Sequence, residues 1–160
     1  MTRVVVLGCA GSGKTTFARR LAARTGAVVI DLDALWRAQG DEDRMAFRET
    51  MRRRHAVETW ISDGNFSALT FDIRLPRADL IVWLDQPRLL CAWRVIARVI
   101  DPTETHHRRQ DLGKVLTFIR GFERVNRPLI EGQRLRHGPG VPVVHLASER
   151  DVEVFLDAAR

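Results

Sequence analysis

The sequence predicts an α/β fold in which a parallel β-sheet is covered by helices on both faces. Two observations lead to this prediction. Short apolar runs rich in β-branched residues recur along the chain, and they alternate with segments whose apolar residues repeat at helical spacing. Strands that alternate with helices pair in parallel, because each helix crosses the sheet between strands. Ligands bind such sheets where the strands end, so the residues that follow each strand are the candidates for function.

The first half of the chain supplies three predicted strands and two predicted helices. Residues 4–7 read Val-Val-Val-Leu, an apolar run typical of a buried parallel strand. Residues 14–25 carry apolar side chains at helical spacing and end before Gly26, a residue type that commonly stops helices. The remaining elements of this half are a strand at 27–30, a helix at 44–57 and a strand at 59–62.

The second half adds two strands, at 80–84 and 141–146, and so completes a predicted five-stranded sheet. The helix predicted at 88–100 is expected to turn an apolar face toward the core. The residues of that face are Leu89, Trp93, Ile96 and Ile100. The last two predicted helices are 112–126 and 149–159.

The composition is that of one globular domain. The chain has 160 residues, of which 45% are hydrophobic and 29% charged, ordinary values for a protein that folds without metals or disulfides. Cys9 and Cys91 match neither a disulfide framework nor a zinc spacing. No apolar run approaches the roughly 20 residues that span a bilayer, and no signal-peptide pattern is seen. We therefore expect a single domain over residues 1–160, with no membrane association and a cytoplasmic location.

The charge balance is basic and unusual in its make-up. The formal net charge is +6, and of the 26 lysine and arginine residues only Lys14 and Lys114 are lysines. Two explanations remain open. The arginine surplus reflects a coding bias, or it reflects a preference for phosphate, which the guanidinium group binds through two parallel hydrogen bonds.

The clearest motif lies between the first predicted strand and the first predicted helix. Residues 8–15 read GCAGSGKT and match the pattern G-x-x-x-x-G-K-[ST]. The glycines let backbone N–H groups converge on an anion, and the helix N-terminus adds its dipole. We expect Lys14 to reach the β- and γ-phosphates of ATP, and Thr15 to ligate Mg²⁺. The predicted nucleotide-binding residues of the loop are Gly8, Gly11, Ser12, Gly13, Lys14, Thr15 and Thr16.

Missing motifs narrow the class of nucleotide-binding protein. A guanine-specific N-K-x-D motif is absent, since neither Asn65 nor Asn126 precedes a lysine. The fourth strand is followed by a lone acid, Asp85, where ATP-hydrolysing motors usually carry an acidic pair. An L-S-G-G-Q signature is also absent. The class that remains is the small kinases, which transfer phosphate to an organic hydroxyl or phosphate and exclude water.

Several segments resemble the bacterial adenylate-kinase-related proteins that are often labelled DNA topology modulation proteins. The similarity covers nearly the whole chain. It rests on the loop at 8–15, Asp31-Leu32-Asp33 and the segments 60–66, 74–79 and 83–85. Wider relatives are the adenylate, shikimate and gluconate kinases. The resemblance implies a P-loop NTPase three-layer sandwich whose five-stranded parallel sheet is of nucleoside-monophosphate-kinase type. We also expect a short acceptor-binding segment at 33–57 and a short lid at 101–111.

Two aspartates follow the second predicted strand. Asp31 and Asp33 are two residues apart, a spacing that puts both carboxylates on one face of an extended segment. The resemblance to shikimate-type kinases implies a metal-side role for Asp31. It implies that Asp33 holds the acceptor and acts as its general base. The alternative for Asp33 is a capping role at the following helix.

The resemblance also implies a set of acceptor-binding residues. Besides Asp33, they are Trp36, Arg37, Asp63, Gly64 and Asn65. Adenylate kinases use an arginine at the position of Arg37 to hold the acceptor's phosphate. They carry a second arginine where this chain has Ser67, a departure that puts AMP in doubt as acceptor. Arg74 either takes over that role from farther along the chain or lies on the surface.

The nucleotide side has its own predicted residues. Asp85 is expected to orient magnesium-bound water or, alternatively, to cap the next helix. Arg94 and Arg98 share a helix face, and by resemblance one packs on adenine while the other, Arg98, contacts the phosphate; plain surface exposure is the alternative. By resemblance Ser148 lies near adenine. The candidates for a catalytic lid arginine are Arg108, Arg109 and Arg120, of which Arg109 is preferred.

These observations predict a phosphotransferase that moves the γ-phosphoryl group of Mg·ATP to a small nucleotide, nucleoside or hydroxyl metabolite. Monomer and homodimer both remain open, and at most weak, non-specific nucleic-acid binding is expected. The alternative is a nucleic-acid-associated ATP-binding protein without kinase activity. It predicts one continuous basic face. Such a face would include Arg52, Arg53, Arg54, Arg134 and Arg136.

Overall fold

The computed structural model describes residues 2–39, 43–100 and 112–159. These residues form a five-stranded sheet in the order β2-β3-β1-β4-β5, and all of its strand pairs are parallel. The strands are β1 Arg3–Gly8, β2 Val28–Asp31, β3 Trp60–Asp63, β4 Leu80–Leu84 and β5 Val143–Leu146. The predicted α/β class and the five-stranded parallel sheet are confirmed.

Eight α-helices lie in the described part of the chain. They are α1 Lys14–Thr25, α2 Leu32–Ala38, α3 Arg44–Arg54, α4 Ser67–Arg74, α5 Arg88–Ile100, α6 Leu112–Gly121, α7 Arg127–His137 and α8 Glu149–Ala158. Gly26 ends α1 in the left-handed conformation with φ 72°, as the sequence predicts. None of the helices within the described ranges is long and apolar enough to cross a bilayer.

The sheet separates two apolar layers. Val4 and Val6 of β1 pack with α1 and α8 on one face, whereas Val5 and Leu7 pack on the other face against a larger layer. Because β1 is buried on both faces, its sequence is continuously apolar and does not alternate. This central position leaves the C-terminal end of β1 as the natural place for a ligand.

The strand register brings several strand ends to one edge. Val6 pairs with Asp63, Asp31 pairs with Asp63, and Gly8 pairs with Leu84. The glycine-rich loop therefore leaves the sheet between the acidic ends of β2 and β3 on one side and the end of β4 on the other. The strand order, which the sequence pattern does not give, decides which acids stand next to the loop.

Three helices, α2, α4 and α7, and a helix break lie outside the sequence predictions. Helices α2 and α4 are short; α2 follows β2 directly, and α4 follows the turn after β3. The predicted helix at 112–126 ends at Gly121, continues as a π-helical turn over Phe122–Asn126, and passes into α7. Pro128 lies in the first turn of α7, where its fixed φ is compatible with a helix. Apolar periodicity cannot detect such a break, because a π-turn shifts the pattern by only one residue.

The predicted inward face of α5 is wrong. Leu89, Trp93 and Ile100 are 87%, 67% and 71% exposed, whereas Cys91 and Val95 are buried. The phosphate loop sets this orientation, since a Cβ atom on Gly11 would come within 2.3 Å of the Cys91 carbonyl oxygen. Because the loop backbone packs closely against the side of α5 that carries Cys91, the face that was predicted to be buried is exposed.

Candidate functional site

The loop at 8–15 has the conformation that its glycines permit. Gly11 and Gly13 have φ values of 77° and 90°, a region that residues with a Cβ rarely adopt. Helix α1 begins directly after them at Lys14. The backbone N–H groups at this helix start have no partner inside the helix and point toward the loop, so the loop offers donors to an anion.

The Lys14 ammonium lies over the loop. Its Nζ donates to the carbonyl oxygens of Gly8, at 3.1 Å, and Cys9, at 2.8 Å. Within the described residues no carboxylate pairs with it. A cation held by neutral carbonyls keeps its charge available for a phosphate.

Thr15 and Asp63 form a pair at the base of the loop. The Thr15 hydroxyl donates to Asp63 Oδ2 at 2.6 Å. Asp63 is buried, and its Oδ1 has no hydrogen-bond partner in the described part of the chain. Burial raises the pKa of Asp63, and the nearby carboxylates of Asp31 and Asp33 add to this, while the Thr15 hydroxyl and Lys14 oppose it. The structure thus brings Asp63, which the sequence assigned to the acceptor, to the hydroxyl assigned to Mg²⁺.

Asp31 and Asp33 do not lie on one extended segment, contrary to the sequence expectation. Strand β2 ends at Asp31, and Asp33 lies in the first turn of α2, so the argument from an extended spacing does not apply. Asp31 is the helix cap, because its Oδ1 accepts from the Ala34 N–H at 2.9 Å. The capping role weighed for Asp33 therefore belongs to Asp31.

Asp33 stays close to the loop. Although the residue is exposed overall, surrounding protein raises the pKa of its carboxyl by reducing hydration, and Asp31 adds to this while Lys14 and Arg37 lower the pKa. Asp33 therefore lies within the electrostatic reach of Lys14. A carboxylate with a raised pKa is a better proton acceptor than a fully hydrated one.

The Asp85 carboxylate is paired with an arginine at the start of α7. Both of its carboxylate oxygens accept from Arg127, each at 2.8 Å, and His145 Nδ1 lies 3.6 Å from Oδ2. Arg127 also packs over the Trp83 ring, 5.2 Å from its centroid. Because both oxygens of Asp85 are engaged by Arg127, this arrangement does not support the magnesium role predicted for Asp85.

A cleft of about 250 Å³ opens beside the loop. Ser12, Gly13 and Thr16 line it from the loop side, and Arg94 and Arg98 line it from α5. The two arginines therefore line the same cleft as the phosphate-binding loop. The alternative, that both are only exposed on the surface, does not hold. The cleft also contains a negative charge, since the Glu149 carboxylate lies at its rim and accepts a hydrogen bond from Arg94.

Ser148 does not line this cleft. Its hydroxyl caps α8 by accepting from the Asp151 N–H at 3.2 Å, and the Asp151 carboxylate accepts from the Ser148 N–H at 2.8 Å. This reciprocal arrangement is a capping box. The neighbouring residue, Glu149, is the one from this segment that lines the cleft.

Asn65 fastens the loop to the end of β3. Its Oδ1 accepts from the Gly8 N–H at 3.2 Å, and its Nδ2 donates to the Gly8 carbonyl at 3.0 Å. Both polar atoms of the side chain expected to bind the acceptor are thus occupied. The turn around it is tight, with φ 128° at Gly64 and φ 36° at Phe66. Asn65 is a positioning residue for the start of the phosphate loop.

A buried polar network lies beneath this turn and is here called the Arg74 network. Arg74 is fully buried and donates to Ser62 Oγ at 3.0 Å, to the Gly64 carbonyl at 2.9 Å and to the Asn65 carbonyl. The sequence placed Arg74 either on the surface or on an acceptor phosphate, and it is in neither place. Burial lowers its pKa to about 9. Its hydrogen bonds hold the segment that carries Asp63.

His55 completes the Arg74 network. Its Nδ1 lies 2.8 Å from the Met51 carbonyl, and its Nε2 lies 2.9 Å from Ser62 Oγ. A carbonyl only accepts, so Nδ1 carries the proton and Nε2 accepts from the Ser62 hydroxyl. Burial lowers the pKa of His55 to about 4, which fits this neutral state. The sequence analysis did not predict this network, because neither residue type nor spacing indicates that His55, Ser62 and Arg74 are buried together.

The remaining predicted site residues lie in different environments. Trp36 is half-buried and packs edge-on against Phe47, 4.9 Å between ring centroids, and at 5.8 Å against Phe66. Arg37 is exposed on α2. Arg108 and Arg109 lie outside the described residues, as does the whole predicted lid at 101–111. Arg120 is exposed on α6.

Many described arginines are paired with acids. Examples are Arg48 with Asp72, Arg52 with Glu49, Arg134 with Glu131 and Arg20 with Glu153. Two residues of the basic face that the nucleic-acid alternative requires, Arg52 and Arg134, are thus partly neutralised. Arg20 also lines the cleft beside the loop, as do Arg94 and Arg98.

Residues 4–70 match the protein family described as "AAA domain", which covers the loop and the first three strands. No curated protein matches the chain. Among solved structures, shikimate kinase from Acinetobacter baumannii in complex with shikimate covers 99% of this chain, which in turn covers 90% of that chain, at 14% identity and a TM-score of 0.64.

Two further structures have the same fold. Shikimate kinase from Bacteroides thetaiotaomicron is 19% identical over 98% of this chain and 95% of its own, with a TM-score of 0.62. Deoxyadenosine kinase from M. mycoides with bound dATP is 9% identical over 98% of both chains, with a TM-score of 0.60. At these identities the likeness shows the fold, which is that of P-loop kinases.

Proposed function

We propose that the protein is a phosphotransferase that moves the γ-phosphoryl group of Mg·ATP to a small acceptor. The observation that carries the proposal is the arrangement around the loop. Lys14 lies over it without a carboxylate partner among the described residues, and Thr15 is hydrogen-bonded to a buried aspartate, Asp63. A loop that only made a turn would not need a buried carboxylate beneath it, because burying a charge without a partner is costly.

The same residues fit a magnesium ion. Thr15 Oγ1 and the unpartnered Asp63 Oδ1 are hard oxygen donors, the type that Mg²⁺ prefers. No three His, Cys, Asp or Glu side chains in the described ranges form a complete metal cage, as expected for an ion that is held mainly by phosphates and water. When bound, Mg²⁺ would neutralise charge on the β- and γ-phosphates.

The chain's own groups account for the other requirements of phosphoryl transfer. Backbone N–H groups of the loop and the Lys14 ammonium bind the phosphates. Arg94 and Arg98, in the adjoining cleft, add positive charge on the nucleotide side. Asp33 is the proposed proton acceptor for the acceptor hydroxyl, because its raised pKa suits a general base.

A label-transfer experiment tests the proposal. The purified chain is incubated with γ-labelled ATP, Mg²⁺ and a panel of nucleosides, nucleotides, polyols and sugar acids, and label in each acceptor is compared with label released as inorganic phosphate. Transfer to an acceptor that exceeds hydrolysis supports the proposal. Hydrolysis alone, or no ATP binding, contradicts it.

A matched pair of variants tests the role of Asp33. Asp33→Asn keeps the shape and removes the proton acceptor, so transfer should fall by about 10²-fold or more while ATP affinity changes little. Asp157→Asn makes the same change on α8, away from the loop, and should leave both quantities unchanged. An equal loss of ATP affinity in Asp33→Asn would show that Asp33 acts on the nucleotide side.

A further inference from the structure

A second cavity lies on the acceptor side of the phosphate loop and is here called the amide cavity. Its volume is about 290 Å³, close to the ~300 Å³ lower end of small-molecule sites. It is bounded by Asn65 and the first turn of α4 on one side, and by α6, the π-helical turn and α7 on the other. Because Asn65 is hydrogen-bonded to Gly8, the inner end of the cavity adjoins the loop that would hold ATP.

The described lining of the amide cavity carries no charged side chain. Two arginines of the helices that bound it, one on α4 and one on α7, are committed elsewhere. Arg74 is buried in hydrogen bonds to the turn at 62–65, and Arg127 is paired with Asp85. A carboxylate or phosphate enclosed here would lose hydration without gaining a cationic partner from the described lining, which is strongly unfavourable.

Three polar side chains of the lining are without partners. Ser67, Asn126 and Gln133 line the cavity, and none of their side-chain polar atoms makes a hydrogen bond within the described residues. Two of them are amides, which offer a donor and an acceptor side by side. The π-helical turn ends at Asn126 and thereby brings that residue to the cavity wall, and such turns occur often at functional sites.

The rest of the lining is apolar and partly aromatic. Phe66 and Phe118 contribute aromatic rings, and Leu129 and Ile130 contribute aliphatic surface. Phe66 is fixed from behind by Trp36, which follows Asp33 on α2. Aromatic walls of this kind suit a flat ligand.

We propose that the amide cavity binds the phosphoryl acceptor and that this acceptor is an uncharged molecule with a flat hydrogen-bonding group, as in a nucleoside. The inference rests on the proposed phosphotransferase function and makes its substrate class specific. The amides of Asn126 and Gln133 bind the edge of the flat group, the aromatic rings contact its face, and the acceptor hydroxyl points toward Asn65 and the loop. Acceptors that carry a phosphate or carboxylate find no cationic partner in the described lining.

Direct binding is the decisive measurement, because it does not require turnover. Ligand-observed NMR titrations of the full chain use the common ribo- and deoxyribonucleosides, each matched with its 5′-monophosphate. At least one nucleoside should bind, and its monophosphate should bind more weakly by about tenfold or more. Failure of every nucleoside to bind, or tighter binding of the monophosphates, overturns the proposal.

Variants locate the binding. Gln133→Leu removes one amide at nearly constant volume and should weaken nucleoside binding by about tenfold, whereas Arg136→Leu places the same side chain on α7 outside the cavity and should have no effect. Ser67→Ala is a gentler second variant in case Gln133→Leu unfolds, and it should weaken binding severalfold. Unchanged nucleoside affinity in Ser67→Ala or in folded Gln133→Leu contradicts the proposal.

Parallel measurements separate this proposal from the proposed function. Mg·ATP affinity should be the same in the wild type, Gln133→Leu and Arg136→Leu. Nucleoside binding without any label transfer would contradict the phosphotransferase function and leave the cavity assignment standing. Label transfer to anionic acceptors, insensitive to Gln133→Leu, would contradict the cavity assignment and leave the phosphotransferase function standing.

Discussion

The cleft beside the phosphate loop and the amide cavity open at the same edge of the sheet, yet their linings differ. The cleft contains the cationic groups of Arg20, Arg94 and Arg98 and the anionic group of Glu149. The amide cavity is lined, over the described residues, by amide, hydroxyl, aromatic and aliphatic groups. The difference teaches that the strand ends determine where ligands bind, whereas the side chains of the surrounding helices determine the charge of each site and therefore which ligand it accepts.

The two regions also differ in what builds them. The loop side uses backbone N–H groups, whose direction is fixed once Gly11 and Gly13 adopt positive φ. The amide cavity uses side chains from α4, α6, α7 and a π-helical turn. Asn65 links the two regions, because it lines the amide cavity and is hydrogen-bonded to Gly8 of the loop, and the Arg74 network holds it in place.

The largest expected effect concerns the loop side alone. Lys14→Ala should lower phosphoryl transfer by about 10²–10³-fold, equivalent to roughly 2.7–4 kcal/mol of lost electrostatic stabilisation. Lys14→Arg should fail similarly, because a planar guanidinium does not replace a compact ammonium. The control is Lys114→Ala, the same change at the other lysine. Nucleoside binding should be unchanged in all three variants, and a loss there would break the separation between the two regions.

The second prediction concerns the Arg74 network, which holds the turn at Asn65, and its dependence on pH. The pKa of His55 is lowered to about 4 in the folded chain from 6.5, so the unfolded chain binds the proton more readily between these values. The resulting stability is present above about pH 6.5 and is lost as the pH falls toward 4, by about 3 kcal/mol in all.

Chemical denaturation at several pH values checks this prediction. The free energy of unfolding of the wild type should fall more steeply from pH 6.5 to 4.5 than that of His55→Gln, which has no titrating ring. Both ATP and nucleoside affinity should decline with it, because Asn65 lines the amide cavity and is also hydrogen-bonded to Gly8 of the phosphate loop. Parallel pH curves for the two proteins would contradict the buried neutral state of His55.

The third prediction separates the two aspartates that end β3 and follow β4. Asp63→Asn should raise the Mg²⁺ concentration for half-maximal transfer by about 10–100-fold, because it removes the charge beneath Thr15. Asp85→Asn should leave that concentration unchanged and instead lower stability, since it weakens the pairing with Arg127. Titration of Mg²⁺ at saturating ATP is the measurement. The reverse pattern would restore the metal role that the sequence suggested for Asp85.

The smallest expected effect is the response to salt, and it sharpens the contrast in charge. Between roughly 50 and 200 mM salt, ATP affinity should fall only severalfold and nucleoside affinity should not change, because salt screens charged contacts alone. Over that range DNA-binding proteins lose about 10³–10⁵-fold in affinity, and any DNA binding by this chain should vanish. Tight DNA binding that survives 200 mM salt and responds to ATP would favour the nucleic-acid alternative.

Local patterns in the sequence determined the phosphate loop and the overall α/β architecture of this protein. The spacing of glycines, Lys14 and Thr15 between an apolar run and a helix predicted the phosphate loop, because the glycines that permit its conformation and the helix that follows it are adjacent in sequence. Gly26 likewise marked the end of α1. Alternation of strands and helices predicted the parallel sheet, since crossover connections leave few other arrangements.

Only the tertiary structure decided which side chains meet. Asp63 contacts Thr15 because β3 lies beside β1, and Asp85 pairs with Arg127 because α7 returns to the end of β4; neither neighbour can be inferred from spacing along the chain. Arginine is usually found on the surface, yet Arg74 is buried because three hydrogen-bond acceptors in and beside one tight turn converge on it. Contacts between residues distant in sequence depend on strand order and helix rotation, and these are set by packing of the whole core and not by any local pattern.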